Sequence, residues 1–315
     1  MARILDFVRR TPAPVSMPGP SHAAALEALL ADFSIEVMPR TAAKVADFRE
    51  LLPAGTRVYL AHVDATDFAE MTAAARRLAG EGFAVMPHFP ARGIADRAEL
   101  ESRIAAYAEA GVTRALVIAG GIDTPRGAYS EALQLLRTGL FDAYGFTDVH
   151  VAGHPEGNRD IDRDGGDRVA LAALAAKAGF QRETDARMAI ATQFCFETAP
   201  VVAWAGRLRA AGITLPVHLG VAGPAKLQTL IRFAMTCGVG PSLRVLQRRA
   251  ADLTKLMVPF EPTELLAELA AHKAQDPAFP VERIHFFPLG GIAATTDYTG
   301  AITARPQNRS AKARA

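Results

Sequence analysis

The stretch Met188-Ala-Ile-Ala-Thr-Gln-Phe-Cys-Phe-Glu197 decides the fold of this chain. Its Met, Ala and Ile residues suit a strand that is buried on both faces, as strands of parallel sheets are. The strand breaks into Thr192, Gln193 and Phe194 at its carboxyl end. The Gln193 amide offers two donors and an acceptor to a planar ligand. Because parallel α/β barrels build their active sites at this end of the strands, location and chemistry agree.

Short apolar runs and alanine-rich helical stretches alternate on both sides of this strand. Gly82, Gly111 and Gly212 are predicted to follow the last residue of a helix, where glycine favours the left-handed conformation. The predicted strands are Phe33–Met38, Arg57–Val63, Phe83–Phe89, Thr113–Ala119, Asp148–Ala152, Met188–Phe194, Leu215–Val221 and Arg283–Leu289. Strands that each precede a helix predict a (β/α)8 TIM barrel of the α/β class with an extra amino-terminal helical segment.

The chain divides into three parts by composition. Residues 1–32 are predicted to form an amino-terminal extension with a helix capped by Ser21, and residues 33–304 the barrel. The tail 305–315 lacks an apolar period and is predicted to be disordered. An extra helix is predicted at Pro241–Arg249. No glycine-rich dinucleotide loop follows an early strand, which disfavours a doubly wound sheet.

Composition excludes several classes of protein. The chain has 315 residues, 50% of them hydrophobic, with 35 Lys and Arg against 33 Asp and Glu. This balance gives no basic stripe for nucleic acid. Cys195 and Cys237 make neither a disulfide framework nor a zinc site, and the charged amino terminus has no signal-peptide core, so a cytoplasmic location is predicted. No apolar run is long enough for a membrane span, so no membrane partner is predicted.

Glu36 is the most unusual residue of the first strand, Ser34-Ile-Glu-Val-Met-Pro39. A carboxylate inside an apolar strand costs several kcal/mol unless it is paired, hydrogen-bonded or protonated. We therefore expect burial to raise its pKa, which would suit a general acid. The structural alternative is an ion pair with an arginine inside the barrel.

The other strands also deposit polar residues at their carboxyl ends. His88 after the third strand suits either a donor to a ring carbonyl or a satisfied core histidine. After the fourth strand, Gly120 and Gly121 allow close backbone approach to a ligand and Asp123 adds a charge, although an ordinary turn explains them equally well. His154 and Glu156 follow the fifth strand in a loop stiffened by proline.

Known catalytic and metal motifs are missing from the sequence. There is no Ser-His-Asp elbow, no phosphate loop with Lys-Ser/Thr and no His-Glu-x-x-His helix. The aspartates between Asp160 and Asp167 do not match an EF-hand. Several histidines near strand ends could form a metal site. Few carboxylates or cysteines accompany them, so no metal is predicted. These histidines are His62, His88, His154, His218 and His285.

Taken together, the strand ends resemble the methylenetetrahydrofolate reductases, which are flavin-dependent (β/α)8 barrels. The resemblance covers most of residues 33–290. The matching elements are Ser34-Ile-Glu36 with Pro39, Pro87-His88, His154-Pro-Glu156, Thr192-Gln193-Phe-Cys-Phe196 and the His285-Phe-Phe strand.

The resemblance implies an oxidoreductase that interconverts 5,10-methylenetetrahydrofolate and 5-methyltetrahydrofolate, with FAD as cofactor and NADH or NADPH as co-substrate. By motif, Glu36 resembles the acid that protonates a folate nitrogen, and Gln193 the residue that orients the folate and nicotinamide rings. Asp123 is a candidate for both substrate and flavin. The positions similar to flavin contacts are His88, Gly120, Gly121, Asp123, Ala152, His154, Asn158, Asp167 and Lys177.

Several positions depart from the family pattern. The fourth-strand loop reads Ala119-Gly-Gly-Ile-Asp123 where the family has Arg-Gly-Asp. A lysine expected on the fifth helix aligns with Leu174, although Lys177 lies nearly a turn further on a similar face. At four further positions this chain has a different residue from the family. The family's tyrosine, histidine, phenylalanine and arginine align here with His154, Asn158, Leu227 and Gly291.

Three functional hypotheses follow. The first is the folate oxidoreductase, which can run in the oxidative direction in one-carbon catabolism. The second is a folate-binding accessory barrel without redox chemistry, suggested by the altered loop and missing arginines. The third is a lyase with a metal on His88 and His154. Homo-oligomerisation is also expected for a barrel of this type.

Overall fold

Eight parallel strands close into a barrel in sequence order, with β8 paired to β1. The computed structural model describes residues 20–63, 66–236, 246–247 and 259–304. The strands are β1 (Ser34–Val37), β2 (Arg57–Leu60), β3 (Ala84–Pro90), β4 (Arg114–Ile118), β5 (Asp148–Gly153), β6 (Arg187–Cys195), β7 (Val217–Ala222) and β8 (Val281–Phe287). All eight predicted strands are present, and the predicted TIM barrel is confirmed.

Helices follow the strands and cover the outside of the barrel. They are α1 (Pro20–Ala31), α2 (Pro39–Ala42), α3 (Phe68–Gly80), α4 (Arg97–Glu109), α5 (Ala132–Leu136), α6 (Leu140–Ala143), α7 (Arg168–Gly179), α8 (Thr198–Ala210), α9 (Leu227–Thr236), α10 (Thr263–Gln275) and α11 (Ile292–Ala304). Gly82, Gly111 and Gly212 have φ of 90°, 77° and 69°, as predicted for residues that end a helix.

Helix α1 packs against α10 and β8, and its Leu29 and Leu30 are buried in the main core. It begins at Pro20, so Ser21 is inside the helix and its predicted role as the cap is wrong. Proline is well suited to the first turn because its missing N–H has no partner there in any helix.

Some sequence predictions fall on other parts of the chain. The tail 305–315, Cys237 and most of the predicted helix Pro241–Arg249 lie outside the described residues. Within those residues, no helix combines the length and the apolar character that crossing a bilayer requires.

The interior of the barrel is unusually polar. Side chains alternate between inside and outside along each strand, so every second residue points to the barrel axis. An apolar group of Tyr59, Met86, Leu116 and Ala191 fills part of this space. Inward positions also carry charged and imidazole side chains at three levels, from the amino-terminal floor to the carboxyl-terminal mouth. These side chains are Arg57, Arg114, Asp148 and Arg283 at the floor, His150 and His218 in the middle, and Glu36, His88 and His285 towards the mouth.

A second apolar cluster covers the mouth beside β6 and β7, and we call it the mouth cap. It comprises Phe194, Phe196, Ala222, Ala225, Leu227, Leu230, Ala234, Leu246 and Phe260. Ala225 and Phe260 hold it together through an isolated antiparallel bridge. Leu227, which replaces a ligand-stacking phenylalanine of the similar family, is only 3% exposed and packs inside this cap.

Candidate functional site

Glu36 is held between two histidines at the mouth. Its Oε2 lies 3.5 Å from His88 Nε2 on β3 and 3.6 Å from His285 Nε2 on β8. The three side chains meet because β1 pairs with β8 on one side and is one strand away from β3 on the other. The alternative of an ion pair with a barrel arginine is therefore wrong, since both partners of Glu36 are imidazoles.

The electrostatics of Glu36 contradict the sequence prediction. Burial by itself raises its pKa, but the donors of His285 and His88 outweigh burial and lower the pKa to about 2. The expected rise in pKa is thus wrong, because the two histidines that stabilise the carboxylate come from distant strands. Glu36 is ionised at neutral pH and holds no proton to donate.

On the ring edge away from Glu36, His285 makes a hydrogen bond that orients it. Its Nδ1 lies 3.0 Å from the Ser34 hydroxyl, which is buried on β1. Burial lowers the pKa of His285, so the ring is neutral and carries a single N–H. If the Ser34 hydroxyl donates to Nδ1, the hydrogen lies on Nε2 and faces the Glu36 carboxylate. Ser34 and His285 were not among the predicted site residues.

Below this group lies a layer of neutral, hydrogen-bonded rings. The Tyr59 hydroxyl is 2.6 Å from His150 Nδ1 and 3.2 Å from His218 Nδ1. The Tyr59 ring also lies 4.3 Å from that of His285 between centroids. Burial lowers the pKa of both His150 and His218 and raises that of Tyr59. This layer gives the mouth a rigid, uncharged base.

A β-bulge places Gln193 at the mouth. The register between β6 and β7 shifts between Ala191 and Phe194, and the Thr192 hydroxyl accepts a hydrogen bond from the Gly220 N–H at 2.8 Å. Gly220 allows this approach, because a Cβ there would lie 2.6 Å from the Gln193 carbonyl oxygen. The Gln193 Oε1 accepts from the Phe194 N–H at 3.1 Å. Within the described part of the chain, its amide nitrogen makes no hydrogen bond and is available to a ligand.

Phe287 provides an aromatic surface beside these polar groups. Its ring is half-buried and lies 4.9 Å from the His285 ring and 5.3 Å from that of Phe194. It joins the mouth cap to the Glu36 group, so one side of the mouth is apolar and the other polar. Sequence reasoning missed this role, although Phe287 is the next inward residue after His285 on β8.

Four of the predicted flavin contacts line one small cavity between β5, α7 and α8. These are Ala152, His154, Asp167 and Lys177. The cavity measures about 30 Å³. The Lys177 ammonium reaches the Ala152 carbonyl oxygen at 3.4 Å, and burial lowers its pKa to about 8. Burial and Lys177 lower the pKa of His154 to about 4.

Two of these predicted flavin contacts, Lys177 and Asp167, have defined surroundings in this cavity. Lys177 reaches it from α7, as the shifted alignment predicts, whereas Leu174 adds an apolar wall. Asp167 is engaged in an ion pair with Arg207, at 2.5 Å.

The other predicted flavin contacts lie elsewhere along the mouth. Gly120 and Gly121 line a separate cavity of about 160 Å³ beside Arg103 and Arg126. Gly120 has φ of 94°, and a Cβ there would lie 3.0 Å from the Pro90 Cβ, so its backbone packs closely on β3. Asp123 is exposed.

His88 and Asn158 make separate contacts again. His88 belongs to the Glu36 group. The Asn158 Oδ1 accepts from the Asp160 N–H within its own loop, at 2.9 Å. The predicted flavin contacts thus lie at three places around β3, β4 and β5.

This arrangement fits part of an FAD molecule. The buried Lys177 ammonium, which donates to the Ala152 carbonyl, and the glycine backbone at the neighbouring strand end together suit an anionic diphosphate. A cavity of about 30 Å³ holds a water molecule but not a ring. Lys177 and the Gly120–Gly121 backbone would therefore hold the phosphates, with both ring systems outside this cavity.

Metal ligation is not apparent in the described residues, which contain no cluster of three or more His, Cys, Asp or Glu suited to an ion. Asp162, in the aspartate-rich loop, instead accepts from the N–H groups of Val169 and Ala170 at 2.8 and 2.9 Å. It satisfies the amino terminus of α7, which explains that loop without calcium.

Comparison with known proteins supports the fold. No family model matches the chain. A solved structure from Clostridium thermocellum superposes with a TM-score of 0.51 at 9% sequence identity, covering 89% of this chain and 99% of that one. It is described as an uncharacterized protein that binds two copies of 5-methyl-5,6,7,8-tetrahydrofolic acid. At this identity the similarity concerns the barrel architecture.

Proposed function

We propose that this chain binds a reduced folate in the barrel mouth and oxidises 5-methyltetrahydrofolate to 5,10-methylenetetrahydrofolate. The observation that carries the proposal is the Glu36 carboxylate, fixed between His88 and His285 at the position where barrel enzymes act. The folate-binding barrel of similar architecture supports the choice of ligand.

The charge on Glu36 suits the stabilisation of a cation better than the donation of a proton. Reduction of methylenetetrahydrofolate needs an acid to open its five-membered ring, and a carboxyl group with a pKa of about 2 is a poor one. Oxidation of the N5-methyl group instead removes a hydride and leaves a cationic N5-methylene iminium. The fixed carboxylate stabilises this developing positive charge. N10 then attacks the methylene carbon, which turns the C=N π bond into the N5 lone pair, and the N10 proton passes to solvent water as the ring closes.

The remaining mouth residues orient the folate. The free amide donors of Gln193 bind the edge of the pterin, while Phe287 contacts its face. FAD, when bound, supplies the two-electron acceptor. Use of NADH or NADPH and assembly into a homo-oligomer remain predictions.

The experiment compares the purified wild type with Glu36→Gln and a control, Glu27→Gln, which removes an exposed carboxylate on α1. We expect a flavin absorption spectrum after reconstitution and methyltetrahydrofolate oxidation with an artificial acceptor. Glu36→Gln should lower kcat about 10²–10³-fold, as loss of one transition-state stabiliser does, while Glu27→Gln should not change it. Full activity of Glu36→Gln would refute the assigned role.

A second candidate is folate binding without redox chemistry. It is favoured by the dispersal of the predicted flavin contacts, since Ala152, His154, Asp167 and Lys177 line a different cavity from Gly120 and Gly121. Calorimetry distinguishes the two functions. Binding of 5-methyltetrahydrofolate by a protein that retains no FAD and catalyses no oxidation would establish the second function and exclude the first.

A further inference from the structure

The floor of the barrel concentrates positive charge. Arg57 on β2, Arg114 on β4 and Arg283 on β8 occupy inward positions there, beside Asp148 on β5. They are mutual electrostatic neighbours, since Arg283, Asp148 and Arg114 all influence the ionisation of Arg57. Three guanidinium groups therefore share one inward carboxylate in the described part of the chain.

The hydrogen-bonding capacity of Asp148 is already used by other groups. Its Oδ2 lies 2.9 Å from the Thr147 hydroxyl, 3.1 Å from Arg187 Nη2 and 3.3 Å from Arg114 Nε. Arg187 is 77% exposed at the rim, so part of the carboxylate charge is engaged outside the barrel. Asp148 therefore favours the charged form of Arg57 only from a distance, since no ion pair joins the two among the described residues.

Several guanidinium donors at the floor have no protein acceptor among the described residues. The buried atoms are Arg57 Nε and Nη1 and Arg283 Nε, whereas Arg114 Nε has its ion pair with Asp148 without a hydrogen bond. Among the described residues, Arg283 makes its ion pairs at the rim, with Glu282 at 2.5 Å and with the largely exposed Asp32 at 3.9 Å. An uncompensated buried charge is strongly destabilising, so a ring of such donors requires an anion or a rearrangement.

We propose that this floor binds a small tetrahedral oxyanion, phosphate or sulfate, between Arg57, Arg114 and Arg283. Guanidinium donors match the geometry of oxyanions and can bind them in a bidentate manner. The anion balances the charge that Asp148 leaves, and it supplies acceptors to donors from three strands. The site lies at the opposite end of the barrel from Glu36 and is independent of the proposed reaction.

The pKa of Arg57 agrees with this assignment. Burial is the main cause that lowers it; Tyr59 and Asp148 act in the opposite direction, while the nearby Arg283 and Arg114 lower it further. A bound anion reverses the effect of these like charges and stabilises the folded protein by mass action.

Thermal unfolding of the full chain tests the proposal. Phosphate is titrated at constant ionic strength, with chloride in a parallel series and isothermal calorimetry as a direct measurement of binding. We expect a saturable rise in Tm of about 4 °C at a hundredfold excess of phosphate over its Kd. Absence of saturable binding by both methods, or an equal response to chloride, would overturn the assignment.

Two matched variants locate the site. Ala84 on β3 is paired in register with Arg57 and alternates with the inward residues Met86 and His88. Ala84→Asp adds a carboxylate beside Arg57, whereas Ala84→Asn adds the same shape without charge. We expect Ala84→Asp to abolish the phosphate-dependent rise in Tm and Ala84→Asn to retain it. An identical response in both variants would contradict binding at the floor.

Discussion

At the scale of single residues, the acidity of Glu36 depends on a hydroxyl that does not touch it. When the Ser34 hydroxyl donates to His285 Nδ1, the ring carries its hydrogen on Nε2, the nitrogen that faces the carboxylate. Burial alone would raise the pKa of Glu36, so the sign of the shift is set by these oriented donors. Ser34 is therefore a positioning residue for the charge at the mouth.

Ser34→Ala tests this relay. Without the hydroxyl, the His285 ring loses its preference for a hydrogen on Nε2. The Glu36 carboxylate then loses part of the stabilisation that this N–H group provides. We expect kcat for methyltetrahydrofolate oxidation at pH 7 to fall about tenfold with KM little changed, as loss of part of a transition-state interaction does. Ser102→Ala, at an exposed position of α4, is the control. An unchanged kcat would contradict the positioning role of Ser34.

At the scale of elements, the bulge between β6 and β7 determines how Gln193 is presented. Its geometry requires glycine at position 220, where an added Cβ would meet the backbone oxygens of Thr192 and Gln193. This requirement is invisible in sequence, because a glycine in a strand has several explanations and its partner is 28 residues away.

Gly220→Ala is expected to destabilise the protein by about 1–3 kcal/mol, as overpacking of a closed site does. Urea unfolding measures this change, and methyltetrahydrofolate affinity should fall with it because Gln193 shifts. Gly206→Ala, within α8 and with no atom within 4 Å of its added Cβ, is the control. It should stabilise the helix by about 0.5–1 kcal/mol. Equal changes in the free energy of unfolding for the two substitutions would show that the bulge accommodates a Cβ at position 220.

The sequence was sufficient to predict the strands of the barrel, but only part of the candidate site. Alternation of apolar runs with helical stretches was sufficient for all eight strands, because burial on both faces leaves a local signal. Glu36 was also recognisable, as a carboxylate in an apolar strand. Its partners were not, because the Ser34–His285 contact spans 251 residues and exists only after the barrel closes.

The same limitation explains the wrong pKa. Local sequence suggested a carboxyl group in an apolar pocket, and burial does act in that direction. Closure of the barrel adds His88 and His285, whose donors reverse the result. The positions predicted for flavin were similarly dispersed, since order along the chain does not determine which loops share a cavity.

At the scale of the whole molecule, stability should depend on pH through the buried imidazoles. Burial is the main cause that lowers the pKa of His150, His154, His218 and His285 in the folded state. The unfolded chain therefore binds more protons below about pH 6.5, and stability present above that pH is lost as the pH falls.

We expect the free energy of unfolding to decrease between pH 7 and pH 5 by up to about 1.4 kcal/mol per pH unit for each buried histidine. Urea denaturation at a series of pH values measures this slope. His154→Asn should reduce it, whereas His272→Asn, on α10, serves as the comparison. Stability that is constant or rises towards pH 5 would contradict the neutral state of these rings.

The polar interior has a directional consequence. Cationic guanidinium groups occupy one end of the cylinder, an anionic carboxylate occupies the other, and uncharged rings separate them. Without an anion at the floor, the barrel is therefore polarised along its axis, with its negative pole at the open end. A guest that becomes more cationic as it reacts is held more tightly at that pole than the molecule that entered.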